Sequence, residues 1–95
     1  MRRSRIELYI STLEALAHYG PMKITKITYK AKMNLVPLKV ILDDLIQKDI
    51  VEERTLEKNR VVYAATSKAR IILSHFNELK EMLPILAEED QLTLW

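Results

Sequence analysis

The sequence predicts a mainly α-helical protein with one small β-hairpin, in the order helix, helix, helix, hairpin, helix. Three observations predict it. Apolar residues recur at three- and four-residue spacing in four stretches. Two short strand-like runs, 50–54 and 61–65, flank a polar turn. The punctuating residues Gly20-Pro21, Asn34 and Thr66-Ser67 fall between these stretches.

The first helix is expected over Arg5 to Tyr19. Ser4 and Glu7 form a capping box, in which the serine hydroxyl accepts from the backbone N–H three residues on. Ile6, Tyr9/Ile10, Leu13 and Leu16/Ala17 supply the buried stripe. Gly20, the only glycine in the chain, tolerates a left-handed cap, and Pro21 cannot continue the ladder.

A second, short helix is expected from Ile24 to Lys32. Ile24, Ile27, Thr28 and Ala31 form its inner face, and Lys23, Lys26 and Lys30 lie opposite. Asn34 is placed as the N-cap of a third helix running to Lys48, with Pro37 in the first turn, where a missing N–H costs nothing. Leu38, Ile41/Leu42 and Leu45/Ile46 point inward; Val36, Pro37, Lys39, Val40, Asp43, Asp44 and Gln47 point outward. Strands at Ile50–Arg54 and Val61–Ala65 enclose Thr55 to Arg60, where Asn59 is the candidate for a left-handed conformation.

Thr66 or Ser67 caps the last helix, expected to run to Leu83. Ala69, Ile72, Phe76, Leu79, Leu83 and Leu86 alternate at three and four residues, a heptad seam just short of three heptads. Pro84 interrupts it. Ile71 and Leu73 lie off the seam, as candidates to dock this helix on the rest of the chain. Residues 87–95 turn acidic and then apolar, and no structure is assigned to them.

Composition narrows the function. The chain has 95 residues, enough for one domain, of which 48% are hydrophobic. It has no cysteine, which excludes disulfides and thiolate zinc sites. No apolar run approaches the ~18 residues of a membrane span, and the basic start is not that of a signal peptide. A cytoplasmic, nucleoid-associated location is expected. The net charge of +2 conceals a division. Residues 1–70 hold 14 Lys+Arg against 8 Asp+Glu, whereas 71–95 hold 1 against 5. A basic part facing an anionic partner and a second part with another task fit that asymmetry.

Three helices, the second and third joined by a tight turn, followed by a hairpin, is the order of a winged helix-turn-helix. In that arrangement the second helix crosses a phosphate backbone and the third enters the major groove. Each element here carries cations: Lys26 and Lys30 on helix two, Lys32 in the turn, Lys39 on helix three, and Arg54, Lys58 and Arg60 on the wing. Arg2, Arg3 and Arg5 offer a basic arm. Asn34, Val36, Pro37, Val40 and Asn59 complete the candidate DNA-binding set. Base readout is thin, because only Lys39 offers a strong donor to guanine, while Val36 and Val40 suit thymine methyls. Asp43 and Asp44 oppose phosphate but sit roughly 12 Å beyond Leu35 along the helix.

The run Thr28-Tyr29-Lys30-Ala31 through Asn34-Leu35, the inward Leu38, Leu42 and Leu45, and Lys48-Asp49-Ile50-Val51-Glu52 resemble the archaeal winged-helix regulators of the small, ten-kilodalton DNA-binding class. Tyr63-Ala64-Ala65-Thr66-Ser67-Lys68-Ala69 resembles that family's entry into the last helix. The similarity covers most of residues 5–80, and Asp49 and Ala69 stand where the family has glycines. The resemblance implies a homodimer through an antiparallel coiled coil of the last helices. The expected division is thus a DNA-binding domain over 1–66 and a C-terminal dimerisation helix and tail over 67–95.

Catalysis is not expected. His18 and His75 have no ligand-spaced companion, no glycine-rich phosphate loop exists, and the Glu52-Glu53 and Glu88-Glu89 pairs suit solvent better than an acid/base site. No metal, cofactor or small-molecule ligand is expected. The reading is therefore a double-stranded DNA-binding regulator, not an enzyme. Its competitor is a winged helix used as a protein-interaction module, since fold does not fix function.

Overall fold

The computed structural model describes residues 4–83. The expected residues Arg2, Arg3, Pro84 and Leu86, and the 87–95 tail, lie outside that range.

Helix α1 spans Arg5–Tyr19. Ser4 Oγ accepts from the Glu7 backbone N–H at 3.2 Å, the capping-box bond. At the other end Gly20, at φ +86°, donates its N–H to the Leu16 carbonyl at 3.0 Å. Arg5 is thus the first residue of a helix rather than part of an arm. Thr12 is fully buried, and its hydroxyl is satisfied by donating to the Leu8 carbonyl at 2.9 Å.

Helix α2 spans Ile24–Ala31, one residue shorter than expected. Lys32 instead takes a left-handed conformation at φ 56°, and the Met33 N–H returns to the Thr28 carbonyl at 3.0 Å. That reversal makes the tight turn into helix α3, Leu35–Gln47. Asn34 occupies the N-cap with extended backbone, but its side chain makes no cap bond, contrary to its assigned role. The far end of α3 closes as a Schellman motif. Asp49 is left-handed at φ 60°, Ile50 N–H reaches the Leu45 carbonyl at 2.9 Å, and Asp49 N–H reaches that of Ile46 at 3.1 Å.

Strands β1 (Val51–Leu56) and β2 (Arg60–Ala65) pair antiparallel, from Val51 opposite Ala65 to Leu56 opposite Arg60. The ladder runs further toward the tip than expected, leaving a turn of Glu57–Asn59 in place of a six-residue one. Two consecutive left-handed residues, Lys58 and Asn59, make so short a reversal possible. Met22 adds a bridge to the outer side of β2: its N–H donates to the Tyr63 carbonyl at 3.1 Å and its carbonyl accepts from Tyr63 at 2.8 Å.

Helix α4 spans Ser67–Met82. Thr66 is its N-cap, yet the threonine hydroxyl makes no cap bond. It donates to the Asp49 and Ile50 carbonyls at 2.7 and 2.9 Å, tying the start of α4 to the end of α3.

The core lies where these elements converge, around Leu13, Leu16, Ile27, Leu38, Leu42, Leu45 and Val51. Each such side chain contributes ~1.5–3 kcal/mol by leaving water. Ala69 is 0% exposed within this core, and Ile72 and Leu73 pack against it. The first half of α4 is therefore part of the same packing unit. Ala69 has no surface left for a partner and is a core residue, not an interface residue. Ile71, expected to help dock α4, faces outward instead.

Candidate nucleic-acid interface

The turn between α2 and α3 sets the site. Ile27 and Ala31 bury one side of α2, which leaves Lys26, Tyr29 and Lys30 together on the other at i, i+3 and i+4. Lys23, Lys26, Tyr29 and Lys30 line an open cleft with Tyr19, Pro21, Met22, Thr25 and Val62. A neighbouring cleft is lined by Lys30, Lys32, Met33 and Asn34 with Tyr19, Thr28 and Tyr29. Lys30 and Tyr29 line both clefts and so join the exposed side of α2 to the start of α3.

Lys30 is held in place. Its ammonium stands 4.4 Å from the centre of the Tyr19 ring, a cation–π contact. His18 meets the same ring edge-on, with centroids 4.6 Å apart. Tyr29 is 80% exposed beside them. Both tyrosines lie outside the site expected from the sequence. The available signal was an aromatic residue between Lys26 and Lys30 on the basic face of a short helix.

On α3 the outward residues are as expected. Val36 and Val40 are 74% and 59% exposed, and Pro37 and Lys39 are exposed beside them. The two aspartates differ. Asp43 faces solvent, while Asp44 accepts from the Tyr9 hydroxyl at 2.8 Å and pairs with Lys48 at 2.6 Å. Hydrogen bonds from Lys48 and then Tyr9 hold the Asp44 carboxyl below the ordinary aspartate range.

The wing carries Arg54, Lys58, Asn59 and Arg60, all exposed. Lys58 and Arg60 line a shallow hollow at the tip with Leu56 and Glu57. Arg54 lies lower on β1 and is paired with Glu52 two residues away on the same strand face, its Nε donating at 2.7 Å. Val62, opposite Arg54 in the hairpin, is also a wall of the Lys23–Lys26 cleft, so the wing base adjoins α2. On the same hairpin, burial and then the Glu53 carboxylate push the Tyr63 hydroxyl above its ordinary range.

Of the seam residues on α4, Ile72 and Phe76 are half-buried, with Lys80 5.3 Å from the Phe76 ring centre. Leu79 and Leu83 are exposed, as is Met82, which the seam does not include. Among the described residues, no three His, Cys, Asp or Glu side chains cluster to hold a metal, and no helix is long and apolar enough to cross a membrane.

Comparison with known proteins agrees with this fold. The crystal structure of Sso10a-2, a DNA-binding protein from Sulfolobus solfataricus, is similar with a TM-score of 0.74 at 23% identity, over 96% of this chain and 93% of that one. The reduced form of the transcriptional regulator YodB from Bacillus subtilis is similar at 0.68 and 27% identity, over 86% and 80% of the two chains. A MarR family transcriptional regulator from Silicibacter pomeroyi is similar at 0.69 and 14% identity, over 81% of this chain and 53% of that one. No curated protein matches the sequence. The family described as winged helix-turn-helix matches residues 2–84, nearly the whole chain. With three helices, a turn and a two-stranded wing in that order, the chain belongs to the winged helix-turn-helix family.

Proposed function

We propose that this protein is a transcription regulator that binds double-stranded DNA as a homodimer. The observation that carries the reading is the continuity of the cationic surface: Lys26, Lys30 and Lys32 line adjoining clefts that end at Asn34, where α3 begins. Helix α2 then lies across the phosphate backbone, with these lysines as phosphate contacts. The first two turns of α3, with Val36, Pro37, Lys39 and Val40, enter the major groove. Lys58, Asn59 and Arg60 at the wing tip reach the adjacent backbone or minor groove, with Arg54 nearer the wing base. Arg2 and Arg3 add cations from outside the described residues. Sso10a-2 is itself a DNA-binding protein, which supports the same reading.

The homodimer forms through the distal half of α4, by Phe76 and Leu79, with Leu83 at its C-cap; Leu86, the last of the seam, lies outside the described residues. The half-buried Ile72 lies at the edge nearest the winged core. The acidic balance of residues 71–95 supports this assignment, because this part of the chain need not approach phosphate.

One observation favours a second reading. The outer face of α3 is more apolar than phosphate-guided docking requires, and winged helices also dock proteins. Salt dependence separates the two. About four phosphate contacts per subunit make eight per dimer, for a slope of log K against log salt of roughly −7 on a duplex. A slope near zero, or no duplex binding at low salt, would overturn the DNA reading in favour of protein docking.

A further inference from the structure

We propose that α3 senses the 5-methyl group of pyrimidines in the major groove, so that thymine and 5-methylcytosine are preferred over uracil and cytosine. This rests on the reading of α3 as the groove-entering helix. Val36 and Val40 stand on one outer face, 74% and 59% exposed, at positions where a solvated helix places polar residues. Four residues at 1.5 Å rise put them about 6 Å apart along the axis, close to two base steps at 3.4 Å each.

The hydrogen-bonding groups beside them are few. Lys39 is the donor between the valines, and Asp43 is the acceptor one turn later. The Asp44 carboxylate is engaged by Tyr9 and Lys48. A face of this kind reads little of the donor and acceptor code of the base edges. It reads the one apolar feature of the major groove, the methyl group on pyrimidine C5. Methylation of cytosine places the same group at the same ring carbon. Lys39 is exposed beside the valines, and Lys30 and Lys32 line the cleft that reaches Asn34 at the start of α3; this positive charge favours nucleic acid over an apolar protein surface as the occupant.

The test uses the full chain and four duplexes of equal length: alternating A–T, the same with deoxyuridine for thymidine, alternating G–C, and the same with 5-methylcytidine. Binding is followed by fluorescence anisotropy at one low salt concentration. Removing the methyl group from thymine is expected to weaken binding, and adding it to cytosine to strengthen binding. Each buried methyl is worth roughly fourfold, so two give on the order of tenfold. A Val36→Ala, Val40→Ala variant keeps exposed, helix-favouring side chains. It is expected to bind the thymine and uracil duplexes alike, and the cytosine and 5-methylcytosine duplexes alike, with an unchanged salt slope. Equal wild-type affinity for thymine and uracil duplexes would overturn methyl sensing and leave DNA binding intact. So would a variant that keeps the full difference, since duplex shape would then be responsible. Failure to bind any of the four would overturn the DNA reading itself.

Discussion

The Tyr9 hydroxyl donates to the Asp44 carboxylate at 2.8 Å and so joins α1 to the outer side of α3. Lys48 holds the other carboxylate oxygen at 2.6 Å. The Asp44 carboxyl is thereby depressed, first by the Lys48 hydrogen bond and then by that of Tyr9. A carboxyl depressed on folding stabilises the native state above its unfolded pKa, near 3.8. That contribution disappears as pH falls through the lower folded value. Tyr9→Phe is expected to raise the Asp44 carboxyl toward its ordinary value, read by carbon-13 NMR titration. The stability lost between pH 7 and pH 3 should also shrink. An unmoved carboxyl titration in Tyr9→Phe would show that the bond is absent in solution.

Asp49 stands where the resembled family has glycine, and it is left-handed at φ 60°. An L-residue with a Cβ is disfavoured there, although aspartate tolerates the region better than most. Asp49→Gly is therefore expected to stabilise the protein by about 0.5–1 kcal/mol, which is a rise of roughly 2–8 °C in Tm for a domain of this size. Thermal unfolding followed by circular dichroism checks it. A lowered Tm would mean that the carboxylate makes a stabilising contact greater than the backbone strain.

The two departures from the family illustrate what the sequence discloses. All four helices were legible because three- and four-residue periodicity and Gly20-Pro21 are local signals. Ala69 was misplaced because periodicity reports an apolar face and not which molecule covers it; it lies in the chain's own core. Lys58 was not foreseen as left-handed, since lysine has no local preference for that region and only Asn59 signalled it. The Lys30–Tyr19 contact joins residues of two different helices, so no spacing rule announces it.

That contact separates charge from positioning. Lys30→Ala is expected to weaken binding to every duplex about equally and to reduce the salt slope by about one per subunit. Tyr19→Leu keeps the charge and removes the ring that orients it, an exposed cation–π contact of roughly 0.5–1 kcal/mol. It is expected to weaken binding by a few-fold at most, with the slope unchanged. A steep loss of slope in Tyr19→Leu would mean that the ring does more than orient Lys30.

At the wing, Lys58 combines a cation with a left-handed backbone at φ 60°. Lys58→Gly is expected to raise Tm slightly while weakening duplex binding, so stability and affinity move in opposite directions. Lys58→Glu with Arg60→Glu is expected to abolish binding and leave the helical circular dichroism intact. Unchanged affinity in the double variant would mean that the wing points away from DNA.

The last prediction is that α4 makes the dimer through its distal half. The helix changes character along its length. Ala69, Ile72 and Leu73 belong to the winged core, but Leu79, Met82 and Leu83 are exposed, Met82 by 76%. Soluble monomers rarely present consecutive large apolar side chains in this way. Burying each contributes ~1.5–3 kcal/mol, and three or four per subunit are enough to outweigh the entropy cost of association at the low end of its range. Glu78 and Glu81 lie beside and within this segment, an acidic character that suits a surface with no need to approach phosphate. Phe76 is half-buried, so an aspartate there risks unfolding the monomer, whereas Leu79 and Leu83 are exposed by 45% and 50%. Leu79→Asp with Leu83→Asp is therefore the cleaner variant. Analytical ultracentrifugation is expected to find a dimer for the wild type and a folded monomer for the variant. Affinity for a two-half-site duplex should fall by far more than affinity for a single half-site. A variant that remains dimeric with normal affinity would place the interface elsewhere, and the exposed side chains of α4 would need another partner.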